Sequence, residues 1–389
     1  MSNTQKKNVP ELRFPGFEGE WEEKKLESII KVNSGKDYKH LDKGDIPVYG
    51  TGGYMTSVSE PLSEIDAVGI GRKGTINKPY LLEAPFWTVD TLFYCTPKKE
   101  TDILFILSLF RKINWKVYDE STGVPSLSKQ TINKINRFVP TNKEQQKIGK
   151  FFSKLDRQIE LQEQKLELLQ QQKKGYMQKI FSQELRFKDE NGNDYPEWEN
   201  VMLQKVLKDK TEGIKRGPFG GALKKDIFVE SGYAVYEQRN AIYDISNFRY
   251  YINENKYKEM QSFSVQPNDI IMSCSGTIGR LALIPHNYTK GIINQALIRF
   301  RTNHKIRSEF FLIFMRSNQM QRKILEANPG SAITNLVPVK ELKLIPFPLP
   351  VKFEQDKISQ FIHIINRRIE QSEKKIESLK NRKQGFLQK

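Results

Sequence analysis

The most regular hydrophobic pattern in the chain runs through Ile148, Phe152, Leu155, Ile159, Gln162, Leu166, Leu169, Lys173, Tyr176 and Ile180. Its steps alternate between four and three residues. A second segment repeats the rhythm at Ile358, Ile362, Ile365, Ile369, Ser372, Ile376, Leu379, Lys383 and Phe386. A four-three alternation sustained over several heptads is the a/d seam of a coiled coil. Each segment predicts a helix about 55 Å long at about 1.5 Å per residue. The polar interruptions fall at matching places, Gln162 with Ser372 and Lys173 with Lys383.

The two segments are copies. "EQQKIGKFFSKLDRQIELQEQKLELLQQQKKGYMQK" (144–179) aligns without a gap on "EQDKISQFIHIINRRIEQSEKKIESLKNRKQGFLQK" (354–389), at a constant shift of 210. Weaker echoes precede each copy in the same order. "ELRF" at 11–14 returns at 184–187, Trp21 and Leu26 return as Trp198 and Leu203, and "IPVY" (46–49) resembles "YAVY" (233–236). "GTI" occurs at 74–76 and 276–278, and "INKINRFVP" (132–140) resembles "LKLIPFPLP" (342–350). The shift grows from 173 to 210, so the second half carries insertions. The chain therefore divides into a domain at 1–143, a helix at 144–183, a larger domain at 184–353 and a helix at 354–389.

The economical partner of each helix is the other copy. A tandem of domain-then-helix favours antiparallel pairing, with a pseudo-two-fold axis and the two domains at opposite ends. Gln162 and Ser372 are then expected in adjacent layers near the crossing, where polar residues fix register. The alternative is that each helix packs on its own domain. The glycines of "KKGYMQKIF" (173–181) and "KQGFLQK" (383–389) are expected to admit close approach by the partner helix or a neighbouring domain, with a docked subunit as a second use. The first copy continues into Ile180 and Phe181, which sets the expectation that the natural chain runs a few residues past Lys389.

Between the helices, short strand-like runs ("IPVYGTGGY", "AVGIGRKGTI", "NDIIMSCSGTIGRLALIP", "GIINQALIRFR") precede apolar helical stretches at 102–113 and 308–325. The fold class is α+β, in two tandem domains.

Charge changes the picture. The chain has 63 Lys and Arg against 46 Asp and Glu, a net charge of +17. Such an excess favours nucleic acid, an acidic membrane surface or an acidic partner. The helical segments hold little of it, +3 over 144–181 and +4 over 354–389, which leaves +10 in the globular parts. Two cysteines exclude a disulfide framework or Cys-rich zinc site, and four dispersed histidines lack ligand spacing. The N-terminal sequence has no apolar signal region and no stretch is apolar enough to span a bilayer, so the cytoplasm is the expected location, without a membrane partner.

Basic and small polar residues gather in the turns, where they can contact phosphates and read base edges. In the first domain the candidates for DNA contact are Lys36, Tyr38 and Lys39, Thr51 and Tyr54, Arg72, Lys73 and Thr75, and Ser126 and Lys129. In the second they are Lys215, Arg216, Lys224 and Lys225, Gln238, Arg239 and Asn240, Ser275, Thr277 and Arg280, and Thr334 and Asn335. Any one such loop is also an ordinary turn; their parallel arrangement is the signal. The aromatic and basic residues of "SNFRYYINENKYK" (246–258) suit nucleic acid or alternating strand packing equally well. No P-loop, adenine-methyltransferase box, HExxH or Gly-x-Ser-x-Gly occurs, and no compelling nuclease cluster, so the chain reads as catalytically silent.

Two variable domains, each opened by "LRF…W….L" and closed by "EQ.KI" and a long helix, resemble the specificity subunit of type I restriction–modification enzymes. The resemblance covers nearly the whole chain and is strongest in the duplicated helices. It implies that each domain reads one half of a bipartite duplex DNA site. It implies that the helices act as a ruler for the gap and dock two methyltransferase subunits that methylate adenine. Restriction/translocase subunits would complete the nuclease. S-adenosylmethionine, ATP and Mg are then expected on those partners and no cofactor on this chain. From the residues themselves, other readings stay open: a DNA-binding scaffold outside restriction–modification, an enzyme with an unrecognised site, or a coiled-coil adaptor for an acidic protein.

Overall fold

Both periodic segments are single helices, Asn142–Phe181 and Lys352–Gln388. They belong to a computed structural model that describes residues 8–209, 212–219, 221–243, 245–326 and 338–388. Every seam position but Tyr176, which is exposed, is buried or half-buried. Phe152, Leu155, Ile159, Ile358, Ile362, Ile365, Ser372 and Ile376 are buried, and Ile148, Gln162, Leu166, Leu169, Ile369 and Leu379 are half-buried. Burying an aliphatic or aromatic side chain of this size is worth about 1.5–3 kcal/mol.

The chain falls into two units, residues 1–166 with 372–389, and residues 167–371. Within each, the ends of the two long helices pack antiparallel. In the first unit Phe151 meets Phe386 edge-on at 5.2 Å, Asp156 pairs with Lys383, and Glu163 pairs with Lys380 at 2.6 Å. In the second, Tyr176 meets Phe361 edge-on at 5.0 Å. Packing on the globular part also occurs: Ile148 adjoins the core of Leu26, Phe105 and Trp115, and Ile358 and Ile362 join that of Phe310, Phe311 and Phe347. The two packing modes contemplated from sequence therefore coexist in each unit.

The expectation for Gly175 and Gly385 fails. Among the described residues a Cβ at either position meets nothing within 4 Å, so neither glycine admits a close neighbour there. The helical glycine under that constraint is Gly149, where a Cβ would lie 2.6 Å from Asp102 Oδ1 and 2.7 Å from the Leu104 side chain.

The globular parts share one strand plan. In the first unit, strands Ile30–Ser34, Leu92–Pro97, Ala67–Gly71 and Tyr80–Leu82 form an antiparallel sheet in that order. A second sheet orders Gly53–Val58, Ile46–Gly50 and Trp87–Thr88, the last pair parallel. In the second unit, Ile214–Arg216, Leu297–Phe300, Ile270–Ser273 and Leu281–Leu283 repeat the first sheet. Its other sheet orders Phe228–Val229, Tyr251–Ile252, Tyr233–Tyr236 and Gly291–Ile293, again with the last pair parallel. "IPVY" and "YAVY" are equivalent strands. The inserted 246–258 stretch is used for packing, with Tyr250 stacked on Phe228 at 4.4 Å and Tyr257 on Tyr233 at 4.0 Å.

A paired clamp joins each globular part to the start of its helix. Arg13 donates through Nε (2.8 Å) and Nη2 (2.7 Å) to the buried Glu144 carboxylate. Arg186 donates through Nε (2.9 Å) and Nη2 (3.0 Å) to Glu354. The next residue tethers the apolar helix: the Gln145 amide oxygen accepts from Asp102 N at 3.0 Å, and that of Gln355 from Arg307 N at 2.7 Å. The Arg of "LRF" and the Glu-Gln of "EQ.KI" thus lock together by fork-shaped, charge-assisted bonds.

Candidate nucleic-acid interface

In the first unit the predicted loops converge on one segment, residues 88–91. Lys36 N donates to Thr88 O (2.8 Å), Val89 N to Tyr49 O (3.0 Å), and Arg72 N to Thr91 O (2.8 Å). The loops at 34–39, 50–54 and 71–75 are therefore gathered by backbone bonds. The loop at 121–130 joins through Gly74 N to Pro125 O (2.8 Å), Leu127 N to Arg72 O (2.9 Å), and a bridge between Lys73 and Ser126. Gly35 permits this convergence, because a Cβ there would lie 2.0 Å from Val89 O.

The second unit builds the same hub from residues 294–297. Asn294 N donates to Tyr236 O (2.9 Å), Cys274 N to Ala296 O (2.9 Å), and Gly217 N to Leu297 O (2.9 Å). A Cβ on Gly217 would sit 1.9 Å from Asn294 O. The segments carrying Lys215 and Arg216, Gln238 and Arg239, and Ser275, Thr277 and Arg280 are gathered in this way. Neither hub was singled out from sequence.

Individual residues are placed as follows. Lys36, Lys39, Tyr54, Arg72, Lys73, Lys224, Lys225, Thr277 and Arg280 are exposed. Thr51, Thr75, Ser126, Lys215, Arg216, Gln238, Arg239 and Ser275 are half-buried. Tyr38 is half-buried against Val48, Val58 and Trp87, and half-buried Lys129 opens the helix Lys129–Lys134 behind its Ser128 cap. Lys224 and Lys225 lie on the turn before Phe228, at the edge of the second sheet. Asn240 is buried: its Oδ1 accepts from Glu237 N (2.8 Å) and its Nδ2 donates to Asn247 O (2.8 Å). Thr334 and Asn335 lie outside the described residues.

Basic groups here stand beside aromatic faces. Lys215 Nζ lies 4.9 Å from the Phe263 ring centre, and the Arg216 guanidinium 5.1 Å from that of Phe219. Phe219 is 76% exposed and Tyr243 84% exposed, and exposed rings of this kind suit base stacking. Both rings escaped the sequence reading, although "RGPF" places one beside an arginine. In the first unit the acids beside the 121–130 loop are held by hydrogen bonds: backbone N–H groups of Ser126 and Ser121 hold the Asp119 carboxyl below its usual range, and Thr131 and Ser128 hydroxyls do so for Glu120. Among the described residues no group of His, Cys, Asp and Glu could hold a metal ion, and no helix is long and apolar enough to cross a membrane.

Paired domains with convergent basic loops and clamped helices define a duplicated recognition scaffold. Comparison with known proteins gives that class its family. The family described as "Type I restriction modification DNA specificity domain" matches twice, over residues 18–171 and 220–381. The chain belongs to this family. Two similar relatives come from Methanocaldococcus jannaschii. The MjaX specificity subunit is 25% identical over 293 residues, covering 73% of this chain and 65% of its own length. The MjaVIII type I restriction enzyme specificity subunit is 24% identical over 344 residues, covering 84% and 75%. This chain therefore spans just under two thirds of the first relative. In fold it is similar to the type I restriction–modification S subunit from M. genitalium, with TM-score 0.64, 15% identity and coverage of 97% and 98%. It is also similar to a chain from a structure of type I system assembly and conformational transition, with TM-score 0.58, 14% identity and the same coverage.

Proposed function

We propose that each unit reads one half of a bipartite duplex DNA site, and that the paired helices set the gap between the halves. Methyltransferase subunits carrying S-adenosylmethionine dock on this frame and methylate adenine in each half. Restriction/translocase subunits, with ATP and Mg, add cleavage in the cytoplasm. This chain supplies specificity and assembly while its partners supply the chemistry. The observation that carries the reading is the repeated hub: two units bring basic loops of different sequence onto the same backbone frame. A constant frame with variable loops is what a reader of two different half-sites requires, since phosphate contacts position and base contacts specify.

The test is the ruler. One heptad is about 10 Å of helix, or about three base pairs. Deleting residues 162–168 and 372–378 together is expected to shorten the preferred gap by about three base pairs and to leave both half-site sequences unchanged, as read by methylome sequencing of a host carrying the complex. Altered half-sites at an unchanged gap would overturn the assignment.

A further inference from the structure

The internal repeat exposes a difference in charge. In the first unit, Asp156 on the first long helix pairs with Arg111 on the apolar helix Ile103–Lys112 and with Lys383 on the second long helix. The shift of 210 maps Lys383 onto Lys173 and Asp156 onto Asn366. The matching tethers, Gln145 to Asp102 and Gln355 to Arg307, map Arg111 onto Arg316. By this mapping the second unit keeps both cations and carries an amide, Asn366, at the helix position equivalent to the acid.

Around these cations lies a cleft of about 890 Å³, lined by Lys173, Lys174, Arg316, Arg322 and Lys323 over a floor that includes Met177 and Phe181. Among its described lining residues there is no carboxylate. Arg316 donates one N–H to Leu281 O at 2.6 Å, and Lys173 has no hydrogen-bond or ion-pair partner among the described residues. Burial, with a smaller contribution from Arg316, pushes the Lys173 ammonium below the usual lysine value. Like charges held together without an acid are costly unless an anion joins them.

The neighbourhood indicates which anion. Gln321, beside Arg322, donates from its Nε2 to Gly279 O at 3.1 Å and to Met315 O at 2.7 Å. This ties the short basic helix Asn318–Glu326 to the loop that carries Ser275, Thr277 and Arg280. A helix that lines the cleft is thus anchored to the loop that carries the second unit's candidate DNA-reading residues. We propose that it is a phosphate site, and that its ligand is the sugar-phosphate backbone of duplex DNA flanking the half-site read by this unit. The inference rests on the DNA-reading function. It adds a contact that positions the duplex without reading sequence, at the second unit, whereas in the first Asp156 already pairs with both cations.

The experiment uses the full chain, a 40-base-pair random-sequence duplex and fluorescence anisotropy across a salt series. Asn366→Asp, which installs the missing acid, is expected to weaken binding about three- to tenfold and to lower the slope of log K against log salt by about one to two. Lys173→Gln is expected to act in the same direction, with the melting temperature showing that the fold is kept. Asp156→Asn, which frees the cations of the first unit, is expected to tighten binding. Wild-type binding with unchanged slopes in Asn366→Asp and Lys173→Gln would overturn the phosphate site alone. A wild-type chain that binds no duplex would overturn the DNA-reading function and this inference with it. Unchanged duplex binding with weakened methyltransferase assembly would assign the cleft to a protein carboxylate and overturn the proposal.

Discussion

The two units carry the same clamp, but only the second completes it. Glu354 accepts the Arg186 fork and a third bond from the Trp198 indole at 2.8 Å. Glu144 accepts the Arg13 fork, yet the equivalent Trp21 indole N–H is buried with no partner among the described residues. The same contrast holds for packing. In the second unit the first helix ends in Ile180 and Phe181, and the Phe181 ring lies 5.0 Å from Phe314, 6.1 Å from Phe310 and 6.5 Å from Trp198. The counterparts of those three side chains, Leu109, Phe105 and Trp21, line a cavity of about 300 Å³ together with Phe151 and Leu387. A duplicated motif thus specifies a duplicated frame, while the contacts inside it depend on which side chains arrive there.

The largest effect expected from this contrast is at Phe181. Phe181→Ala should cost about 3–5 kcal/mol in urea denaturation, from lost burial and the space left behind. Leu387→Ala, half-buried beside the existing cavity, should cost less than about 2 kcal/mol on the same scale. Equal losses would break the comparison. Next comes the indole pair. Trp198→Phe strips a charged acceptor of one bond and should cost about 1.5–3 kcal/mol. Trp21→Phe removes an unpaired N–H, and its midpoint should move by no more than about 0.5 kcal/mol in either direction.

A gain is expected from filling the first cavity. Appending Ile-Phe after Lys389 should stabilise the first unit by about 1–2 kcal/mol once side-chain ordering is subtracted from burial, seen as a higher melting temperature than with an appended Ser-Ser. Smallest are the glycines. Gly175→Ala and Gly385→Ala should each stabilise by about 0.5–1 kcal/mol, because helix propensity improves and the new methyl meets open space. A loss of stability at either would restore the close approach once expected there.

Much of the frame was legible because it rests on short-range regularities. The heptad steps fixed both helices and their buried edges, since side chains three and four apart share a face whatever the helix meets. The "LRF" and "EQ.KI" echoes marked the repeat, but that their Arg and Glu lock together emerged only in the structure. The hubs were illegible for an equally physical reason. The equivalent segments 89–92 and 294–297 read "VDTL" and "NQAL", and beyond one buried leucine what they share is a position among strands paired from distant parts of the chain, which leaves almost no common side-chain signature. Gly175 misled because a glycine letter reports a missing Cβ and not what stands beside it; Gly149 has such a neighbour.

By itself, then, the sequence determined that this is a duplicated α+β chain with two heptad helices, a basic surface and membership in a specificity family, since periodicity, charge and internal repetition are properties of the string. Only the tertiary structure decided that Asp156 pairs with Arg111 and Lys383, while Lys173 and Arg316, at the equivalent positions, line a cleft with no carboxylate among its described lining residues. Aspartate and asparagine differ by one letter and almost nothing in shape. Their consequence depends on which charges are brought within a few ångströms, and that is settled by packing between segments far apart in the chain.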